Sequence, residues 1–360
     1  MKVVQLVSNL AYGSAIGNEV VMFHRELIRN QVESWVAAPN YSESMAAEVG
    51  LHGMEALDHL AAEDVLIFHK ASGDILTSAF LKAGGKKVLR YHNITPGRYF
   101  FPYDQLRALN QWQGRRQLKK LVRERLWAWC VSQYNGQELL DMGLSPDRVR
   151  VFPILMEKRQ QWTQPDPEIL RKYGNGSGLR MIFVGRIVPN KRFEDVIRVY
   201  ALYLREYDPR AQLFLVGSWE GHEKYYAKLR GLCADLKLDR VVFTGRVSDA
   251  EKEAYYSISD LLVCMSEHEG FCIPLIEAME HDLPVVARAA SAVPETLGQA
   301  GVLIQGRDWK TMVERIHALR SDSGAKDDLV RAQKEWCRRY AYEQVKEQFG
   351  KNLREVMEAE

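Results

Sequence analysis

Two glutamates, Glu269 and Glu277, are separated by seven residues in a segment whose pattern places both near the start of a helix. The apolar run 260–265 predicts a buried strand, and Pro274 suits a first helical turn, where a missing N–H group costs nothing. Glu269 would then lie in the strand-to-helix loop, and Glu277 about one turn into the helix. The N-terminus of a helix can hold a phosphate, because its first N–H groups are unpaired and its dipole is positive there.

The neighbours of Glu269 fit the same chemistry. Gly270 lets a ligand approach the backbone closely. Carboxylates beside a phosphate are expected to face hydroxyl groups, so the segment predicts a site for a sugar nucleotide. The alternative is an exposed loop in which both glutamates are solvated.

A second candidate loop follows the predicted strand 179–184. It contains Gly185, Arg186 and Lys191 and precedes a helix that is predicted from about Phe193. A guanidinium, an ammonium and a helix dipole together can bind a diphosphate. The alternative is a solvated basic loop, but the Glu269 loop in the same half of the chain favours the diphosphate.

The first half of the chain offers two weaker candidates. Gly13 and Gly17 flank a turn into the first predicted helix, and the loop lacks the dinucleotide-binding glycine pattern of dehydrogenases. His92 follows the predicted strand 87–91, where it could donate hydrogen bonds or a proton to a ligand. The alternatives are two turn glycines and a histidine that caps a helix or a turn.

The elements that must position these residues alternate between strand and helix along the whole chain. With 360 residues, two domains are expected. The alternation stops in the proline- and glycine-rich stretch 158–178 and then restarts, which predicts two α/β lobes with parallel sheets. Ligands of such sheets bind beyond the carboxyl ends of the strands.

Composition excludes several function classes. The chain is 46% hydrophobic and 27% charged with a net charge of +2, which gives no case for binding nucleic acid. Its five cysteines lack metal-type spacing, and they are expected to be reduced core thiols. The N-terminus reads as a strand rather than a signal peptide, and no apolar run reaches transmembrane length. A cytoplasmic location is therefore expected.

Taken together, the motifs resemble the retaining nucleotide-sugar glycosyltransferases of family GT4. The resemblance is carried by Gly185 and Arg186 with Lys191, by the spacing of Glu269 and Glu277, and by the loop 13–19. It implies the GT-B fold, in which two Rossmann-like lobes face each other across a cleft. The lobes would span residues 1–153 and 154–336, with a C-terminal helix in 337–360 that returns to the first lobe.

The resemblance also implies roles for single residues. Arg186 and Lys191 would neutralise the donor diphosphate, Glu269 would address the transferred sugar, and Glu277 would hold the ribose. His92 would lie near the transferred sugar. The remaining positions are Gly270 and Phe271 at the diphosphate, Gly245, Arg246 and Val247 near the base, and Gly13 and Gly17 in the glycine loop. Cys272, where the family often has glycine, and residues 280–282 depart from the family pattern.

The implied function is retaining transfer of a sugar from a GDP- or UDP-linked donor to a glycan or lipid-linked acceptor, in surface polysaccharide assembly. No cofactor is implied beyond the nucleotide sugar. No Asp-x-Asp motif occurs, so no divalent metal is expected to be required. The alternatives are another sugar-nucleotide enzyme, such as an epimerase or a phosphorylase, and a binding protein without catalysis.

A basic segment suggests a further partner. Six basic residues between Arg115 and Arg125 are flanked by Trp112 and Trp127. On a helix, most of them would share an arc of roughly 140°. This pattern predicts peripheral contact of residues 112–127 with an anionic membrane, at its inner face, where a lipid-linked acceptor would be presented. The alternative is a solvated basic face.

Overall fold

Strands rich in aliphatic residues alternate with helices in the computed structural model, which describes residues 1–11, 13–157 and 163–359. The chain folds as two compact units. The first consists of Met1–Phe101, Gln105–Lys158 and Arg339–Glu360, and the second of Pro102–Asp104 and Arg159–Arg338. Part of the predicted linker, residues 158–162, lies outside the described residues. The division falls a few residues after the lobe boundary that was predicted at residues 153 and 154.

The first unit begins with alternating strands and helices. In chain order they are β1 (Lys2–Val7), α1 (Ala15–Arg29), β2 (Glu33–Ala37), α2 (Glu43–Val49), β3 (Val65–Lys70), α3 (Leu76–Lys82), β4 (Lys86–Tyr91), α4 (Gln105–Leu121), β5 (Trp127–Cys130), α5 (Gln133–Asp141) and β6 (Val149–Val151). All six strands are parallel, in the order β2-β1-β3-β4-β5-β6. The direction of winding therefore reverses between β1 and β3.

The first sheet is buried on both faces. Consecutive residues of a strand point to opposite faces, and β1 shows this directly. Val3 packs in one buried cluster with Phe23 and Trp129, whereas Val4 packs in another with Phe68. A parallel sheet that is covered on both faces needs such continuous apolar strands, which explains the runs in the sequence.

The second unit repeats the architecture. Its elements are α6 (Pro167–Tyr173), β7 (Arg180–Val184), α7 (Phe193–Glu206), β8 (Gln212–Val216), α8 (Glu223–Asp235), β9 (Val241–Gly245), α9 (Asp249–Ile258), β10 (Leu261–Cys264), α10 (Ile273–Glu280), β11 (Val285–Arg288), α11 (Val293–Leu297), β12 (Val302–Ile304), α12 (Trp309–Ser321) and α13 (Ser323–Cys337). The strands are parallel in the order β12-β11-β10-β7-β8-β9. Winding reverses here between β7 and β10. The α/β class with two parallel sheets is thus as predicted.

The last helix, α14 (Tyr342–Glu358), belongs to the first unit. It buries Val345, Phe349 and other residues in the cluster that contains Phe23. The rings of Phe349 and Phe23 stack with centroids 4.0 Å apart. Arg150 of β6 forms an ion pair with Glu355 of α14. The core of the first unit is therefore built from both ends of the chain.

Some element boundaries differ from the prediction. The basic segment 112–127 was expected to be helical, but α4 ends at Leu121, and Trp127 begins β5 with 8% of its surface exposed. Trp127 is therefore part of the core and not a flanking surface residue, which corrects the predicted membrane segment. The strand β12 was missed, because three residues are too few for a periodic pattern. No helix in the described residues has the length and apolarity to cross a bilayer.

Candidate functional site

The candidate residues of the second unit lie at the carboxyl edge of its sheet, where the winding reverses. Gly185, Arg186 and Lys191 follow β7, and Glu269 follows the neighbouring strand β10. In open α/β sheets this reversal leaves a crevice at which ligands bind. The two loops that sequence reasoning selected separately thus lie side by side.

An ion pair joins the two loops. Lys191 Nζ donates to Glu269 Oε1 at 2.6 Å, and the side chains are only 14% and 11% exposed. The same carboxylate oxygen accepts a hydrogen bond from Ser266 Oγ at 2.7 Å. Burial lowers the pKa of Lys191, but the charge and hydrogen bond of Glu269, together with the nearby Cys272 and Cys264, more than compensate, so the pKa is raised. Lys191 is therefore a fixed positive charge at this edge.

Gly185 allows the lysine to approach. Its φ of +143° is rarely adopted by other residues, and a Cβ there would lie 3.1 Å from Lys191 Cε. Arg186, the next residue, is exposed at the start of the loop. The loop thus holds one largely buried cation, Lys191, and one exposed cation, Arg186, close to the end of β7.

The two helices that follow these loops, α7 and α10, differ in how well their N-termini could bind an anion. The first turn of α7 contains Glu194 and Asp195, which pair with Arg192 at 3.2 and 2.9 Å. Acidic side chains already lie at the positive end of α7, so the dipole of this helix is the less suited of the two to bind a phosphate. The first turn of α10 has no acidic residue and no side-chain cap among the described residues, with Cys272 as N-cap. The N–H groups that are better suited to a phosphate are therefore those of α10, next to Gly270 and Phe271.

Glu277 lies on α10 and is held by α9. Lys252 Nζ donates to Glu277 Oε1, and the Tyr256 hydroxyl donates to Oε2, both at 2.8 Å. Burial lowers the pKa of Lys252, but Glu277, together with the charges of Asp249 and Glu253, more than compensates, so the pKa is raised. Burial and Glu277 both raise the pKa of Tyr256. The carboxylate is fixed in place while its oxygens keep lone pairs for a ligand.

Gly245, at the end of β9, lies next to an aromatic pair that sequence reasoning missed. Trp219 and Tyr226 stack with ring centroids 4.1 Å apart and planes 5° from parallel. A Cβ on Gly245 would lie 3.4 Å from the Trp219 ring. Arg246 and Val247 follow in the loop after β9. A flat aromatic surface therefore accompanies the predicted base-binding residues; the only signal in the sequence was a tryptophan soon after a strand.

The first unit contains a buried polar cluster around His92. Arg90 donates from Nε and Nη2 to both carboxylate oxygens of Glu19, at 3.0 and 2.6 Å. His92 Nε2 lies 3.6 Å from Glu19 Oε2 and 3.1 Å from His69 Nδ1. Ligand atoms of Glu19, His69 and His92 all lie within 4.8 Å of one another, a spacing that could hold a metal ion. Because Arg90 already neutralises Glu19 and occupies both of its oxygens, a cation does not fit there.

The glycine loop precedes α1. Gly17 lies in the first turn of α1, where a Cβ would come 2.7 Å from Ala11 O, so the chain requires glycine. Gly13 has a φ of +73°, and Ser14 caps the helix by accepting from Gly17 N. Tyr12 lies outside the described residues.

The basic residues of α4 and of the turn that follows it divide into two groups. Arg115 is turned inward, where it pairs with Glu138 and donates to Ile94 O. The other basic residues are exposed, namely Arg116, Lys119, Lys120, Arg123 and Arg125. The exposed apolar side chains lie earlier on α4, at Leu106 (81%), Leu109 (56%) and Trp112 (40%).

All five cysteines are buried free thiols, as expected. Cys264 ends β10, and Cys272 caps α10 with a φ of +76°. A hydrogen bond to Cys272 lowers the pKa of the Cys264 thiol, so the two sulfurs lie in contact. The sequence did not reveal this contact.

Comparison with known proteins shows what most of the second unit is similar to. Residues 166–336 match the family model "Glycosyl transferases group 1". Over 195 residues the chain is 27% identical to N-acetyl-alpha-D-glucosaminyl L-malate synthase of Bacillus anthracis, covering 53% of this chain and 48% of that protein. Over 158 residues it is 27% identical to O-antigen chain mannosyltransferase B of Escherichia coli, covering 43% and 40%. The chain thus spans about half or less of the length of these relatives.

Solved structures extend the likeness to the whole chain. Sucrose-phosphate synthase from Thermosynechococcus elongatus superposes with a TM-score of 0.75 at 17% identity, covering 100% of both chains. Anabaena HepE, in complex with UDP and glucose, gives a TM-score of 0.76 at 17% identity, covering 99% and 100%. These likenesses establish the predicted GT-B fold. Within that fold, residues 166–336 are similar to the glycosyl transferases group 1 family.

Proposed function

We propose that the chain is a retaining glycosyltransferase, which moves a sugar from a UDP- or GDP-linked donor to a hydroxyl group of a glycan or lipid-linked acceptor. The observation that carries the proposal is the ion pair of Lys191 and Glu269 at the reversal point of a group 1 glycosyltransferase domain. The similar E. coli mannosyltransferase, whose name refers to the O-antigen chain, supports a role in surface polysaccharide assembly.

The chemistry follows from the charges at this edge. When the bond between the anomeric carbon and the diphosphate oxygen breaks, negative charge develops on the leaving phosphate. Lys191, Arg186 and the N–H groups of α10 stabilise that charge. The acceptor hydroxyl attacks from the face that the diphosphate leaves, and the departing phosphate oxygen takes its proton. Glu269 positions sugar hydroxyls, and Glu277 holds the ribose.

No divalent metal is needed in this scheme, because side chains and backbone N–H groups supply the positive charge. We expect full activity in excess chelator. Activity that is lost in chelator and restored only by magnesium or manganese would contradict the scheme.

A lipid-linked acceptor would be met at the membrane surface, and α4 fits that contact. Its exposed Leu106 and Leu109 can enter the interface, while the basic residues that follow attract anionic lipid. Sedimentation with phosphatidylglycerol vesicles should deplete the protein, and phosphatidylcholine vesicles should not. Replacing both leucines by serine should abolish binding, whereas Leu236→Ser, at an exposed leucine of α8's C-terminal end, should not. Equal binding to both vesicle types would refute the contact.

The function itself is tested by incubating the protein with one nucleotide sugar at a time and a membrane lipid extract as acceptor. UDP-glucose and GDP-mannose are tested first. A glycosyltransferase releases the nucleoside diphosphate and yields a heavier lipid in mass spectrometry. An epimerase changes the sugar without releasing the diphosphate, and a binding protein does neither. Lys191→Met should abolish release, whereas Lys310→Met, at a lysine that is 81% exposed, should not.

A further inference from the structure

Three arginines gather around Glu267 at the carboxyl edge of the second sheet. Arg192 lies between β7 and α7, Arg288 ends β11, and Arg307 follows β12. Glu267 itself lies in the loop after β10. These four strands are neighbours in the sheet, in the order β12-β11-β10-β7. Because the ends of parallel strands meet at one edge, segments that are far apart in the chain supply one cluster there.

All three guanidinium groups lie close to the same carboxylate oxygen. Glu267 Oε2 is 3.0 Å from Arg307 Nη2, 3.5 Å from Arg288 Nη1 and 3.7 Å from Arg192 Nε. Burial raises the pKa of Glu267, but the hydrogen bond of Arg307 and the charges of the three arginines outweigh burial, so the pKa is lowered. Glu267 is therefore ionised, yet one carboxylate balances only one of the three positive charges.

The ion pairs around the cluster leave a surplus of positive charge. Two further carboxylates belong to Glu194 and Asp195, in the first turn of α7. Together with Glu267, they pair with five cations in the described part of the chain, namely Arg192, Arg198, Lys228, Arg288 and Arg307. Three negative charges thus face five positive ones, so the cluster can accept a further anion.

Arg288 is the least satisfied member of the cluster. Its side chain is only 16% exposed, and its Nε and Nη1 atoms are buried without a hydrogen-bond partner among the described residues. Buried polar groups nearly always have such partners, because an unpaired charged donor is costly away from water. The Arg307 side chain, in contrast, is 46% exposed. The cluster therefore combines a buried donor that lacks an acceptor with a side that is open to solvent.

We propose that Arg192, Arg288 and Arg307 form a binding site for a phosphate dianion, which takes the place of the Glu267 carboxylate. Guanidinium groups bind phosphate oxygens through charge-assisted hydrogen bonds, often in pairs. A phosphate has a second negative charge and more acceptor oxygens than the carboxylate that it displaces, so it can bind all three arginines at once. A carboxylate ligand would only replace Glu267 with an equivalent group. The site lies within the second unit and does not rest on the proposed function.

The phosphate site adjoins the Lys191–Glu269 ion pair but is built from other side chains. Arg192 follows Lys191 in the chain, and Glu267 precedes Glu269 by two residues. The backbone joins the two loops as well, because Glu267 N donates to Asn190 O at 2.8 Å. A test of the phosphate site must therefore distinguish it from the proposed diphosphate site.

Phosphorus-31 NMR measures the binding of inorganic phosphate directly, because the phosphate line broadens on exchange with a large protein. At constant ionic strength, Arg288→Met and Arg307→Met should each weaken binding about 10-fold or more, the loss expected for a charge-assisted hydrogen bond. Arg307→Met, at the more exposed side chain, keeps the test available if Arg288→Met does not fold. Arg331→Met, at a 77% exposed arginine of α13, is the control and should not change binding.

Glu267→Gln should have the opposite effect and strengthen phosphate binding, because it removes the charge that competes for the arginines. An arginine cluster that serves only to stabilise the fold would give no saturable binding in any variant. That result, or unchanged binding in both arginine variants, or weaker binding in Glu267→Gln, would overturn the proposal.

Two comparisons separate this site from the diphosphate site. Lys191→Met should weaken the binding of UDP and GDP but retain phosphate binding at the cluster, and Arg288→Met should do the reverse. Phosphate binding that is lost in Lys191→Met and kept in Arg288→Met would assign it to the diphosphate site and overturn the proposal. If neither UDP nor GDP binds the unmodified protein, the proposed function fails, and the phosphate site still stands on its own measurement.

The class of ligand is tested by competition. Acetate at the same concentration should not displace phosphate, and equal competition by acetate would refute the requirement for a dianion. Glycerol phosphate, a phosphate monoester, is added in a separate titration. Tighter binding of the ester than of inorganic phosphate assigns the site to a phosphorylated small molecule, whereas equal or weaker binding assigns it to phosphate itself.

Discussion

Lys191 and Glu269 should stabilise the second unit only as a pair. Their charged atoms lie 2.6 Å apart with 14% and 11% of the side chains exposed. Removing one partner of a fully buried pair costs about 3–5 kcal/mol, because the remaining charge is left uncompensated. Since these side chains keep some contact with solvent, we expect about 2–3 kcal/mol for Lys191→Met and for Glu269→Gln.

The double variant, which combines Lys191→Met with Glu269→Gln, separates the energy of the interaction between the two side chains from the contribution of each side chain alone. With both charges gone, no buried charge is left alone, so the loss of stability should fall short of the sum by about 1–3 kcal/mol. Urea unfolding of the unmodified protein, the two single variants and the double variant measures this coupling energy. Lys310 and Glu314 give a matched control, since their atoms are 4.0 Å apart and the side chains are 81% and 51% exposed. Their coupling should be within experimental error. Additive losses at Lys191 and Glu269 would refute the reasoning.

The same pair makes opposite predictions for ligand binding. Lys191→Met should weaken UDP or GDP binding about 10- to 150-fold, corresponding to about 1.5–3 kcal/mol for a charged hydrogen bond. Glu269→Gln should not weaken it, because the carboxylate competes with the diphosphate for Lys191. Glu269→Gln should instead lower kcat, since contacts to the sugar strengthen as it becomes oxocarbenium-like. Isothermal titration calorimetry and steady-state kinetics test both statements. Equal weakening by both variants would show that Glu269 helps to hold the diphosphate.

Three further substitutions test the predicted ribose contact, the close approach of Lys191 to Gly185 and the packing of α14. Glu277→Gln should mainly raise KM in steady-state kinetics, because a ribose contact is equal in the ground and transition states; a selective loss of kcat would contradict this. Gly185→Ala should lower both the urea midpoint and diphosphate affinity, because its Cβ meets the Lys191 side chain at 3.1 Å. Gly143→Ala, also at positive φ but with nothing within 4 Å, should lower only the midpoint. Phe349→Ala should destabilise the first unit by about 3–5 kcal/mol in urea unfolding, and an unchanged midpoint would argue against α14 as part of that core.

The sheets and the donor-side loops could be predicted because they depend on local patterns. Strands that are buried on both faces have to be continuous apolar runs, as in residues 212–216, which coincide with β8. Parallel order then brings the ends of separate strands to one edge, so the Lys191 and Glu269 loops could be linked in advance. The sequence motifs and the parallel order of the strands therefore both predicted that the Lys191 and Glu269 loops lie at the same edge.

What the sequence could not reveal depends on contacts between residues far apart in the chain. Arg90 and Glu19 are 71 positions apart, and each alone looks like an ordinary charged residue. The neutralised start of α7 depends on how Arg192 turns toward Glu194 and Asp195. The inward turn of Arg115 likewise depends on Glu138 of another helix. Periodicity places a side chain on a face, but it does not identify the partner.

The position of α14 in the chain has a consequence for synthesis on the ribosome. Residues 163–338 are contiguous and can fold as soon as they leave the exit tunnel. The first unit, although it begins at Met1, lacks one wall of its core until α14 emerges. Domains usually fold from the N-terminus during translation, but here the nascent first unit has to wait for the second. During that interval Phe23 and Trp129 remain uncovered on one side, so a chaperone that binds apolar segments would find its target in the N-terminal half.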